Sequence, residues 1–190
     1  MSDDRRARRV LGLDLSITGT GAVHSSAALG LGLGAACVHT FSPSDKLKDR
    51  RLGVIKAGVL KLIRGGAPGD ADSLPEFALI EDLPFNAKAA GVTGMVHGIV
   101  RDLLHEREIP YGLVPASTLK KYATGKGSHP GQGKTPMAIA ALKRAGAEFA
   151  DDNQCDGWWL WIMAHDHLGS PLFDLPVLHR ESLSKIKLEV

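Results

Sequence analysis

The stretch LGLDLSITGTG, residues 11–21, decides how the rest of the chain is read. With Arg9 and Val10 before it, its first half is a short β-type apolar run that ends on an acid, Asp14. Its second half, from Leu15 to Gly21, is rich in turn formers. A carboxylate where a strand gives way to a turn can stand on the rim of a sheet, although an isolated aspartate at such a place is more often a turn residue.

Working outward, residues 21–26 and 35–41 are further apolar runs on either side of the Gly-alternating segment 29–34, which predicts an antiparallel meander. Over residues 46–64, Leu52, Ile55, Val59, Leu62 and Ile63 recur at helical spacing until Gly65 and Gly66 stop the helix. After a loop at 65–75, Phe77 to Ile80 reads as a buried strand ending on Glu81 and Asp82. A second helix over 87–107 places Val92, Val96, Ile99 and Leu103 on one stripe, and its Gly91, Gly94 and Gly98 suit close packing within the chain or in a dimer. A strand at 111–115 leads into a lysine-bearing helix ending at Gly125. Thr135 with Pro136 starts another helix, and Asp151 or Asp152 caps a last one through Trp158, Trp159 and Trp161 to His167. This order predicts an α/β domain, a mixed sheet with helices packed on it. The whole of 1–190 reads as one domain, with 1–8 a basic N-terminal tail and 178–190 a C-terminal tail.

Composition narrows the function. The 190 residues are 44% hydrophobic and carry 23 basic against 21 acidic side chains, which suits one soluble domain. Cys37 and Cys155 stand too far apart in a chain of this size to suggest a disulfide scaffold or a Cys-rich zinc site. The apolar stretch from Ala27 to Val38 is too short and interrupted to span a bilayer, and the arginines before Val10 do not introduce a signal sequence, so a cytoplasmic protein with no membrane partner is expected. A net charge of +2 does not itself imply nucleic acid, so the placement of the cations matters. Residues 46–64 hold Lys46, Lys48, Arg50, Arg51, Lys56, Lys61 and Arg64 with only Asp49 opposing them, either a solvated helix face or a binding face. Residues 117–134 hold Lys120, Lys121, Lys126 and Lys134, no acid, and four glycines whose backbone amides could approach a phosphate.

Three acids occupy informative places: Asp14 and Glu81 at strand ends, and Asp156 near the start of the last helix. Converging on one rim without His or Cys companions, they would form a hard-oxygen site for Mg²⁺, with Mn²⁺ able to substitute. Two such ions suit in-line hydrolysis of a phosphodiester. Asn153 and Asp152, three and four residues before Asp156, lie on the same helical face and either could complete the set. Nothing beside Cys155 supplies a nucleophile's base, and His165 and His167 read as surface or packing residues rather than ligands.

These residues resemble the RuvC Holliday junction resolvases, especially the phage-type members, within the RNase H-like superfamily. The resemblance runs through LGLDLSITGTG at 11–21, ALIEDLPFN at 78–86, VPASTLKKYATGKG at 114–127 and DDNQCDGWWLWIMAH at 151–165. It implies an RNase H-like mixed sheet with helices on both faces, and a homodimer that cuts four-way junctions by paired symmetric nicks, in the cytoplasm or at a phage or bacterial nucleoid. It also implies that Asp14, Glu81 and Asp156 are catalytic metal ligands. The family's fourth acidic position falls on Asn153, which leaves Asp152 as the substitute. The basic active-site positions fall on Lys120 and Lys134, across a longer glycine loop, with Lys121 and Lys126 as further DNA contacts. An aromatic that wedges into the junction would be Phe85, one residue displaced by Pro84; a core role is the alternative. The three tryptophans stand where the family prefers small residues and are expected to fill a core or a partner interface. Alternative readings are a broad branched-DNA or flap nuclease, an actin-like or sugar-kinase-like ATP-binding protein suggested by DLSITGTG, and an inactive junction-binding scaffold.

Overall fold

Alternation along the strands sorts their side chains onto two faces, and each face carries its own helices. A computed structural model describes residues 8–26, 32–64, 74–83 and 90–189. Strands β1 (Val10–Asp14), β2 (Thr20–Ser25) and β3 (Ala36–Phe41) form the antiparallel meander. Strands β4 (Phe77–Glu81) and β5 (Tyr111–Val114) extend the other side of β1 in parallel, and β6 (Lys187–Glu189) pairs antiparallel with β5. The resulting order is β3-β2-β1-β4-β5-β6.

Parallel pairs need crossovers, and helices α1 (Arg50–Ile63) and α2 (Ala90–Glu106) provide them on one face. Ile55, Val59, Val96 and Val100 pack there against Leu11, Leu13, Ala78 and Ile80. The opposite face carries α3 (Ala116–Thr124), α4 (Thr135–Ala145) and α5 (Asp152–His167) over Val10, Val23, Leu79 and Val114. The mixed α/β sheet with helices on both faces is therefore as expected. No described helix is long and apolar enough to cross a membrane.

Helix α5 lies across β1, β2 and β4, and every residue from Cys155 to Asp166 is buried. The tryptophans belong to the core. The Trp159 Nε1–H donates to the Met137 carbonyl at 3.1 Å, the Trp161 Nε1–H donates to Ser25 Oγ at 2.9 Å, and Trp158 meets Trp159 edge to face at 5.0 Å. The helix gets this close because the strands beneath it lack side chains at two positions. A Cβ on Gly12 would overlap the Gly157 carbonyl oxygen and the Trp161 amide nitrogen, and one on Gly21 would overlap the Asn153 carbonyl oxygen. Asp151, not Asp152, caps the helix: its Oδ1 accepts from the Gln154 amide at 2.9 Å, and its Oδ2 accepts from the Thr40 hydroxyl at 2.8 Å.

The structure departs from the sequence reading in three places. Helix α1 begins at Arg50, because Asp45–Leu47 form a separate 3-10 turn capped by Ser44. Lys134, not Thr135, holds the N-cap place of α4, with Pro136 in the first turn. Most of the stretch read as a C-terminal tail is folded: α6 (Val177–Arg180), a 3-10 segment (Glu181–Lys185) and β6 run through it. Polar anchors and an edge-strand ladder order it, and neither leaves an apolar period. Arg180 pairs with buried Asp166, which also accepts from the Tyr122 hydroxyl at 3.1 Å. His179 Nδ1 bonds to the Tyr122 carbonyl at 2.7 Å. Of the N-terminal tail, residues 1–7 lie outside the described residues, while Arg8 is anchored to Ser170 and Glu76 at 2.9 and 2.8 Å.

Gly12→Ala should cost about 3 kcal/mol or more in a urea titration, because the clash is with backbone that cannot repack. Gly53→Ala, whose Cβ would meet nothing within 4 Å among the described residues, should gain about 0.5–1 kcal/mol.

Candidate active site

Parallel pairing sets the first two acids side by side. Leu13 is registered with Ile80, so Asp14 and Glu81, the next residues, stand on neighbouring strands about 4.8 Å apart. By alternation they share the face of Gly12 and Leu79, which α5 covers. Asp156 directly precedes Gly157, whose missing side chain lets α5 settle on Gly21 and Ala22, and it is lowered toward the same rim. Lys134 arrives from the opposite direction at the start of α4. Its ammonium forms an ion pair with Asp156 and lies 3.9 Å from Asp14 Oδ2. The loop that delivers it turns at Gly125, Gly131 and Gly133, all in the left-handed region with φ of 83°, 73° and 56°.

The charges are poorly balanced. Burial, reinforced by Asp156 and Asp151 and opposed by Lys134, pushes the Asp14 carboxyl up to about 6. Burial, together with Asp14 and Asp156, pushes Glu81 up to about 8 against the pull of Lys134 and Lys120. Burial likewise raises Asp156, with Lys134 opposing it. Burial works against the charge on Lys134, yet Asp156, Asp14 and Glu81 outweigh it and hold its ammonium protonated. Asp156 Oδ1 is buried and has no hydrogen-bond partner. Three carboxyls with raised affinity for protons, one orphaned oxygen and, among the described residues, one ammonium in ion-pair contact make a site short of positive charge. That donor chemistry fits a hard divalent cation. Among the described residues no three Asp, Glu, His or Cys side chains are grouped closely enough to hold a metal ion as they stand, and the Lys134 ammonium lies between Asp14 and Asp156.

The other predicted residues divide. Asp152 is exposed in the first turn of α5, close enough for its charge to raise Asp156. Asn153 is turned against the β1–β2 connection, its Nδ2 2.8 Å from where a Gly19 Cβ would stand. Lys120 on α3 is half-buried, and its charge is felt at both Glu81 and Asp156. Lys121 faces away toward the C-terminal segment and pairs with Glu181 at 3.2 Å. Lys126 is exposed at the start of the glycine loop, its backbone held by the Thr124 hydroxyl. Phe85 lies outside the described residues. His165 is buried on Ser25 Oγ at 3.2 Å, His167 packs on Phe77, and burial pushes the Cys155 thiol up to about 12.

Sequence reasoning missed the residues that hold α3 in place. Arg180, Asp166, Tyr122 and His179 clamp α6 to α3, and a Gly125 Cβ would stand 2.8 Å from His179 Nε2. Lys187 of β6 also pairs with Asp82, the residue after Glu81, at 3.3 Å. No motif marks these residues in the sequence.

Glu81 yields a test of this imbalance. Its folded-state affinity for a proton exceeds its unfolded one, so its ionisation removes stability as pH rises from about 4.5 through about 8. Without divalent metal, Glu81→Gln should therefore raise the melting temperature at pH 8.5 by on the order of 5 °C, and much less at pH 5, in paired calorimetric scans.

No protein-family model matches the sequence, and no curated protein matches it either. The fold does have solved counterparts. A Thermus thermophilus RuvC structure superposes with a TM-score of 0.62 at 20% identity, covering 85% of this chain and 97% of that one. T. thermophilus RuvC in complex with a Holliday junction substrate gives 0.61 at 17% identity, covering 86% and 97%. Over most of its length, then, this chain has the RNase H-like fold of the RuvC structures.

Proposed function

We propose that the protein is a divalent-metal-dependent, structure-selective endonuclease that resolves four-way DNA junctions by paired nicks, acting as a homodimer. The observation that carries this reading is the convergence of Asp14, Glu81 and Asp156 on one rim around the Lys134 ammonium. The junction-bound RuvC structure, with the same fold, supports branched DNA as the substrate class.

In this reading Asp14, Glu81 and Asp156 would hold Mg²⁺ or Mn²⁺, two ions per site, with Asp152 or Asn153 completing the set. Bound metal would supply an activated water and charge neutralisation on the phosphodiester oxygens. The protein's own groups supply the rest. Asp156 Oδ1 is already desolvated and uncommitted, so it loses no hydrogen bond on accepting a ligand. Lys134, released from Asp156 by bound metal, would pair with a non-bridging phosphate oxygen as negative charge builds. Lys120 adds charge from the α3 side. Burial of the site strengthens both effects.

Two nicks on opposed strands call for two sites related by a two-fold axis. Helix α2 offers a surface for that axis: a Cβ on Gly91, Gly94 or Gly98 would meet nothing within 4 Å among the described residues, and Val92 and Met95 beside them are 37% and 45% exposed.

The test is nicking of end-labelled four-way junction, flap and plain duplex in Mg²⁺ or EDTA. The expected result is symmetric paired nicks in the junction alone, abolished by EDTA. Asp14→Asn and Asp156→Asn should each lower the rate ~10³-fold or more while junction binding persists. Lys120→Ala should lower the single-turnover rate ~10²-fold with less than about threefold change in Kd. Equal cutting of the flap would make the protein a general branched-DNA nuclease. Binding without any metal-dependent cutting would make it a junction-binding scaffold.

A further inference from the structure

The basic segment after β3 plays no part in the chemistry above, yet its position is specific. Strand β3 is antiparallel to β2, which is antiparallel to β1, so the C-terminal end of β3 emerges on the same rim as Asp14. Ser42 marks the proximity: its Oγ is 3.7 Å from where a Gly19 Cβ would stand, and Asn153 of α5 touches the same point. The chain then makes a tight turn before entering α1.

That turn is stapled from within. The Lys46 amide donates to Ser44 Oγ and the Lys48 amide to the Asp45 carbonyl. Arg51 closes the turn, its Nε donating to the Lys48 carbonyl at 3.0 Å and its guanidinium pairing with Asp45 at 2.6 Å. Lys48 itself sits at φ 47°, a conformation a non-glycine residue holds only when its surroundings impose it. Arg51 thus neutralises Asp45, while Lys46, Lys48 and Arg50 are exposed and have no ion pair among the described residues. Together with Leu47 and Asp49 they line a shallow open concavity. A rigid turn with three uncommitted cations loses little entropy when it meets a polyanion.

We infer that this turn grips the phosphate backbone of a duplex arm of the substrate, away from the scissile phosphate. The inference rests on the nuclease reading above and extends it to how the DNA is held. Two inter-strand spacings separate β3 from β1, about 10 Å. At about 3.4 Å of rise per base-pair step along a duplex axis, the contacted phosphates lie about three or more steps from the cut. The turn therefore acts on binding, and the carboxylate site on rate.

The experiment compares two double variants with the same charge loss. One is Lys46→Gln with Lys48→Gln. The other is Lys61→Gln with Arg64→Gln, at the far end of the 14-residue helix, about 20 Å from the turn. Junction Kd is measured against salt. Removal of the turn lysines should weaken binding tenfold or more near 0.1 M salt and reduce the log–log salt slope by about 1 to 2, with the saturated nicking rate unchanged within about twofold. The distal pair should leave the slope as in the parent protein. As a second measurement, neutral methylphosphonates placed three to six nucleotides from the mapped cut should weaken the parent protein but weaken the turn variant no further. Equal losses from both double variants, or none from either, would overturn the inference while leaving the nuclease reading intact. A parent protein that neither binds nor cuts branched DNA would overturn both, and would do so before any variant is compared.

Discussion

Backbone-to-backbone contact between α5 and the β1–β2 hairpin is the constraint on which the rest of this molecule depends. It exists because Gly12 and Gly21 present no side chains to the helix and Gly157 presents none to the strands. Around it the helix is buried on all sides, so its sequence cannot be amphipathic, and three indoles fill the space that the close approach leaves at the flanks. The same contact sets the height of Asp156 over the sheet. Were α5 raised by the thickness of one methyl group, Asp156 would leave the rim where parallel pairing of β1 and β4 fixes Asp14 and Glu81.

Bringing the acids together costs stability, and the structure shows where that cost is held. Desolvation raises the proton affinity of all three carboxyls, the neighbouring acids add to it at Asp14 and Glu81 and Asp152 adds to it at Asp156, and Lys134 offsets only part of the rise. A fold selected for stability alone would place an amide or an apolar group at Glu81. Keeping a carboxyl there makes physical sense when a cation completes the site, because the repulsion between the acids then becomes affinity for that cation. Lys134 would have two roles under the proposed function: it pairs with Asp156 in the metal-free protein, and it would turn toward the phosphate once a cation filled the site.

Much of this was legible in the sequence, for identifiable reasons. Strand-end acids are local signals, an apolar run stopping on Asp14 and another on Glu81, and the sheet turns both into neighbours. Asp156 was legible through its place near the start of a helix. What the sequence left open was decided by contacts over long separations. Asp151 rather than Asp152 caps α5 because Thr40, far away in sequence, fixes its second oxygen. Lys121 reads like Lys120 but points to Glu181, a residue from the stretch taken for a tail. That stretch has no apolar period because an arginine paired with buried Asp166, a histidine bond and edge-strand amides order it. Lys134 needed the full path of the glycine loop to reach the acids. The basic run at 46–64 left a solvated face and a binding face equally open, and only the antiparallel path of β3 places its first part beside the site.

Under the proposed function the rim formed by Asp14, Glu81 and Asp156 is a cation site that Lys134 occupies in the metal-free protein. Crystals grown at pH 8 with Mn²⁺, with anomalous scattering recorded to locate the metal, test it most directly. The expected result is metal density bonded to carboxylate oxygens of Asp14 and Asp156, with the Lys134 ammonium moved off Asp156. Crystals that hold Mn²⁺ elsewhere or not at all, with Lys134 still paired to Asp156, would contradict it.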